Sequence, residues 1–120
     1  MKALIGLAIV AMMVADQPRK VLIFYTDNGM AKFKAQMEAL EAHKKGILER
    51  DIEIKSVPYS KENAREWHQW EVDTADVFTF ILIGRDGGEK LRSAQVVNPD
   101  KLFGLIDAMP MRKQEMKRNP

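Results

Sequence analysis

The sequence predicts an α/β domain built on a four-stranded mixed sheet, and three observations predict it. Two uninterrupted apolar runs, 21–26 and 77–83, have the composition of strands covered on both faces. Two further runs, 52–57 and 89–96, alternate apolar and polar residues as half-exposed strands do. Between the first and second strands lies a long segment with helical spacing. A crossover of that length favours parallel pairing and a right-handed connection.

The chain opens on Met1-Lys2, an uncharged apolar run from Ala3 to Ala15, and then Asp16-Gln17-Pro18. One basic residue, an apolar stretch and a small residue before a polar one form a signal-peptide pattern, so residues 1–15 are expected to direct export to the periplasm or exterior. As a helix this run reaches only about 20 Å, short of the roughly 30 Å hydrocarbon core. No stable membrane span is expected in the mature chain.

Val21–Thr26 forms the first strand, and Asp27 or Asn28 is placed to cap the helix that follows. That helix is expected over Met30–Leu48, with Met30, Phe33, Met37 and Leu40 on one face, extended by Ile47 and Leu48. Gly46 marks a kink or its end. Ile52–Val57 is the second strand, stopped by Pro58. Ser60 is placed to cap a short helix over Lys61–Glu71 that carries Trp67 and Trp70. Val77–Ile83, a turn at Gly84-Arg85-Asp86-Gly87-Gly88 and the strand Glu89–Val96 make a hairpin. Asn98-Pro99 starts the last helix as a cap followed by proline at the first helical position. Pro110 then kinks or restarts it before a basic tail.

Burial pattern orders these strands. The continuous apolar runs belong at the centre and the charged, alternating ones at the edges, where charge discourages further pairing. The expected order is 52–57, 21–26, 77–83, 89–96, with helices on both faces, as one domain over residues 19–118. This is the minimal thioredoxin-like sheet.

The chain has 120 residues, 19 basic and 17 acidic, and no cysteine. Removal of Lys2 with the export segment leaves 18 basic residues against 17 acidic, too balanced for nucleic acid as the main partner. Without cysteine there is no disulfide, thiolate nucleophile or cysteine-based zinc site.

The block Phe80-Ile81-Leu82-Ile83-Gly84-Arg85-Asp86-Gly87-Gly88-Glu89-Lys90-Leu91-Arg92, followed by Ile106-Asp107-Ala108-Met109-Pro110-Met111-Arg112, resembles the bacterial family known as domain of unknown function 4174. The resemblance covers residues 20–118. It implies a thioredoxin- or peroxiredoxin-like fold and export. It also implies a role in metal binding or protection from oxidative stress. No catalytic residue set comes with it.

The chemistry of that fold normally sits at the start of the first helix, where the helix N-terminus acidifies a thiol. Here the junction reads Thr26-Asp27-Asn28-Gly29, and the segment Thr74-Ala75-Asp76-Val77 lacks the cis-proline that thioredoxins place before the hairpin. Disulfide exchange and thiol peroxidase chemistry are excluded. Arg85-Asp86-Gly87-Gly88 lies in a hairpin and lacks the strand-to-helix context of a phosphate loop. His43 and His68 are the candidate metal ligands, for iron or copper, although their spacing gives no paired motif. Met109, Met111 and Met116 cluster beside Pro110, where thioethers suit packing or a soft metal. Trp67 and Trp70 suit either a partner surface or the edge of the core.

The function expected is that of an exported, non-enzymatic binding protein on a redox-inactive thioredoxin-like scaffold, with iron or copper scavenging as its concrete form. The alternative is a structural or protein-interaction module, homodimeric through the tryptophan surface or an edge strand.

Overall fold

The computed structural model describes residues 17–118. The export segment expected at 1–15 lies outside them. The sheet consists of β1 (Arg19–Tyr25), β2 (Ile52–Pro58), β3 (Phe78–Ile83) and β4 (Glu89–Ser93), in the spatial order β2-β1-β3-β4. β1 runs parallel to β2 and antiparallel to β3, and β3 pairs antiparallel with β4. This is the expected order. The two strands buried on both faces take the centre because only there does each find cover above and below.

Alternation along β1 and β3 divides the core into two layers. On one face Val21, Ile23, Phe80 and Leu82 pack with Leu40, Ile47, Leu102 and Ile106. These come from α1 (Met30–Ala42), α2 (Lys44–Glu49) and α4 (Pro99–Asp107). On the other face Leu22, Phe24, Ile81 and Ile83 pack with Val57, Trp67 and Val72. Trp67 belongs to α3 (Ala64–Gln69). The last helix is α5 (Pro110–Arg118).

Several expectations are corrected. The long helix breaks at His43, whose φ of −118° and ψ of 30° leave the helical region, and not at Gly46. Gly46 sits inside α2 because the Phe103 ring occupies the space beside it. An added Cβ would stand 2.6 Å from that ring. The break turns Leu48 out of the core, to 68% exposure, and Met30 is also exposed. Gln36, with no apolar character to announce it, is fully buried. Its amide nitrogen donates to Val97 O at 3.0 Å and its amide oxygen accepts from Val97 N at 2.7 Å. β4 ends at Ser93 instead of residue 96, and Val97 is held by Gln36 instead of by the sheet.

Neither Asp27 nor Asn28 caps α1. Asp27-Asn28-Gly29 forms a single 3-10 turn, and Gly29 enters the helix without a side-chain cap. Ser60 Oγ accepts from Asn63 N at 3.2 Å, but residues 61–63 form a turn and the helix starts later than expected, at Ala64. Asn98 caps α4 as expected, accepting from Asp100 N at 2.8 Å, with Pro99 at the first position. Pro110 restarts the chain as α5.

Glu71 holds φ at 52°, a left-handed value that costs a residue with a Cβ about 1–2 kcal/mol. Its side chain is exposed. Glu71→Gly is expected to raise stability by about 1 kcal/mol, read as a higher urea midpoint at unchanged slope.

Candidate functional site

The junction of β1 and α1, the customary redox position of this fold, is closed by backbone. Thr26 N donates to Val77 O at 2.9 Å, and Gly29 N donates to Thr26 O at 2.9 Å. A Cβ on Gly29 would stand 2.0 Å from Val77 O and 2.8 Å from Val77 C. Gly29 is buried, Thr26 is half-buried, and Asp27 and Asn28 are exposed. The junction has no thiol and no room for a side chain at Gly29.

The candidate ligands His43 and His68 are both exposed. His43 ends α1, its Nδ1 3.0 Å from Ala39 O and its ring beside Phe103. His68 follows the buried Trp67 on α3. The two helices cover opposite faces of the sheet, so the histidines do not converge. Among the described residues no group of three or more His, Asp or Glu side chains is arranged to hold a metal ion. The tryptophans serve the core. Trp67 is 2% exposed and donates from Nε1 to Val57 O at 3.2 Å, and Trp70 is half-buried against the same layer.

Converging charge is found at the other end of the sheet. β1 is seven residues long, so its first residue lies about 20 Å from the redox position. Arg19 opens β1 with 1% exposure. It donates from Nη2 to Glu115 Oε2 at 2.8 Å and from Nη1 to Arg50 O at 2.8 Å. Arg85, at the end of β3, donates from Nε to the same Glu115 oxygen at 3.1 Å and from Nη1 to Asp51 Oδ2 at 2.9 Å. Arg50 holds Asp107 with two bonds, at 3.1 and 2.9 Å, and Arg112 adds a third at 3.1 Å. Four arginines and three carboxylates thereby tie together β1, the α2–β2 turn, the hairpin, α4 and α5.

The network shifts its own ionisation. Burial works against the Glu115 charge, but the bonds from Arg19 and Arg85 outweigh it and set its pKa below the ordinary carboxylate value. Asp107 is lowered chiefly by Arg50, and further by Arg112 against some desolvation. Arg85 is raised, because its bonds to Glu115 and Asp51 outweigh the burial that opposes its charge.

Beside this network lies a cavity of about 260 Å³. Gly84, Arg85, Asp86 and Lys90 of the hairpin line it, with Arg19 of β1 and the segment Met109–Met111 between α4 and α5. The hairpin turn is shaped by Gly87, whose φ of 83° suits glycine, and by Asp86 Oδ1, which accepts from Gly88 N at 2.9 Å. Lys90 Nζ donates to Asp86 Oδ2 at 2.9 Å and so folds back over Gly84. The two sequence blocks that carry the family resemblance meet at this cavity and network.

Sequence reasoning missed this site. Arg85 and Arg112 stood inside the two blocks, and that was the one available signal. Arg19 and Glu115 are 96 positions apart, and no local spacing announces such a pair.

The profile of the family Domain of unknown function (DUF4174) matches residues 13–115. Among solved structures the chain is similar to thioredoxin-2, a component of the malaria parasite protein secretion machinery. The identity is 20% and the TM-score 0.61, over 77% of this chain and 84% of that one. It is also similar to Trxlp from Edwardsiella tarda, at 22% identity and a TM-score of 0.54, over 82% of this chain and 91% of that one. At these identities the likeness shows the fold alone, which is thioredoxin-like. No curated protein matches the sequence. With the family profile spanning most of its length, the chain belongs to the DUF4174 family.

Proposed function

We propose that this protein is an exported, non-enzymatic binding protein on a cysteine-free thioredoxin-like scaffold, and that it works through the arginine end of the sheet. The observation that carries this reading is the convergence of the two family blocks on one cavity, while Val77 closes the redox position at Gly29. Export is supported by the apolar run at 3–15 behind Lys2. Cell fractionation tests it, with the protein expected in the periplasm or medium and recovery in the cytoplasm against it.

The narrower form is scavenging of iron or copper. It is supported by two exposed imidazoles, His43 and His68, acting as separate single-histidine sites because they sit on opposite faces. One imidazole per ion gives weak binding, so micromolar or looser copper(II) affinity is expected, with each site lost separately in His43→Ala and His68→Ala. Calorimetric titration with copper(II) and iron(II) checks this. The absence of saturable uptake by the parent protein would remove the metal form and leave the binding reading to the cavity.

A further inference from the structure

We propose that the cavity at the arginine end is a site for a small organic carboxylate with an apolar body. Arg19 and Lys90 hold the negative group, and Met109 and Met111 hold the body. This names the ligand class for the reading above and rests on it.

Arg19 is 1% exposed and lines the cavity, yet its Nε has no hydrogen-bond acceptor. Among the described residues it shares that condition only with the Thr26 hydroxyl, at the opposite end of β1. Buried polar groups are almost always paired. The side chain that carries this unmatched N–H lines the cavity, so a small repacking of the wall brings it within reach of an acceptor placed there.

Arg19, Arg85 and Lys90 line the cavity against one lining carboxylate, Asp86. Glu115 engages Arg19 and Arg85, Asp51 engages Arg85, and Asp86 engages Lys90. Lys90 has three donors, and Asp86 takes one. α5 begins at Pro110 on the cavity wall, so the positive end of its dipole adds to the same sign. These cations oppose a soft metal ion, which the two thioethers would otherwise suit.

Met109, Pro110 and Met111 present an apolar, adaptable surface that a bare inorganic anion would leave unmatched. About 260 Å³ falls just below the ~300–1,000 Å³ of ordinary small-molecule sites, so the body is short.

The test is amide chemical-shift titration of the full chain with hexanoate, hexylammonium, 1-hexanol and inorganic phosphate. Hexanoate is expected to give saturable millimolar binding, with shifts in 84–90 and 109–112. Hexylammonium is expected to give none, and hexanol to bind at least tenfold more weakly. Lys90→Met keeps the stem and loses the charge, and is expected to weaken hexanoate at least fivefold. Arg19→Lys keeps the charge and loses the Nε donor, with about a tenfold loss expected. Should that variant fail to fold, Lys90→Met decides. Equal binding of hexanol and hexanoate overturns the proposal, as does the absence of a saturable hexanoate shift. Phosphate shifts at these amides without hexanoate binding overturn the ligand class and leave the site standing. Shifts confined to 26–30 and 76–77 with every probe overturn both.

Discussion

Glu115→Ala is expected to destabilise the protein by about 3–5 kcal/mol, although the residue lies near the end of the last helix. Its carboxylate accepts from Arg19, which is 1% exposed, and from Arg85. Removing one partner of a buried pair leaves the other charge without compensation, and that loss exceeds what the pair contributes net. Arg19 would keep one acceptor, Arg50 O. The alternative is for α5 to leave its place and let water reach the guanidinium, which sacrifices the helix's packing instead. An exposed pair is the natural contrast. Lys55 and Glu66 meet at 2.9 Å with Lys55 62% exposed, and Lys55→Ala should cost no more than about 1 kcal/mol. The double variant Arg19→Met with Glu115→Leu removes both charges and is expected to recover much of the loss. Urea denaturation of the four proteins measures these differences.

The same network contributes to the acid limb of stability. Glu115 and Asp107 have folded pKa values below their ordinary 4.5 and 3.8. Carboxylates lowered on folding contribute stability that is fully present above the unfolded pKa and lost as pH falls through the folded one. The parent protein should therefore hold its stability down to about pH 4.5 and lose it below. Glu115→Ala should show a shallower loss over that range, having already surrendered one of the lowered carboxylates.

Gly29→Ala is the second large effect, expected at about 3 kcal/mol or more. The Gly29 backbone has an ordinary φ of −95°, so conformational freedom is not the issue. Space is. The new Cβ would stand 2.0 Å from Val77 O, a backbone atom that no rotamer change can move. That oxygen also accepts from Thr26 N, so shifting it sacrifices the bond that joins β1 to the segment before β3. Gly104→Ala, inside α4 with nothing within 4 Å, serves as the control. It should stabilise by up to about 1 kcal/mol through helix propensity alone. The contact that makes Gly29→Ala costly also closes the redox position. A cysteine introduced at residue 29 would have to open that junction before it acted as a nucleophile.

The sheet was legible because burial pattern carries strand position directly. Val21–Phe24 and Phe78–Ile83 are buried on both faces and have neighbours on both, whereas Ile52–Val57 alternates and lies at an edge. Asn98-Pro99 was legible because a cap is a local device. What could not be read depends on the fold being already assembled. Gln36 is buried because Val97 supplies both of its partners from 61 positions away. Gly46 is required by Phe103, which reaches it only across the interface between α2 and α4. The helix reading over 30–48 assumed one continuous axis. The break at His43 reset the face, leaving Ile47 inside and Leu48 outside. The arginine network is the extreme case. Its charges looked like ordinary surface residues, and only the β2-β1-β3-β4 topology brings Arg19, Arg85 and Glu115 together.

On the proposed reading this scaffold binds at its arginine end and not at the customary redox end. A crystallographic fragment screen of the full chain, with small carboxylates, phosphates, amines and neutral compounds, tests it most directly. Occupied density is expected to gather in the cavity between Lys90, Arg19 and Met109, with acidic fragments dominant. Density gathering instead at Thr26–Gly29 against Val77, with the arginine end empty, would contradict it.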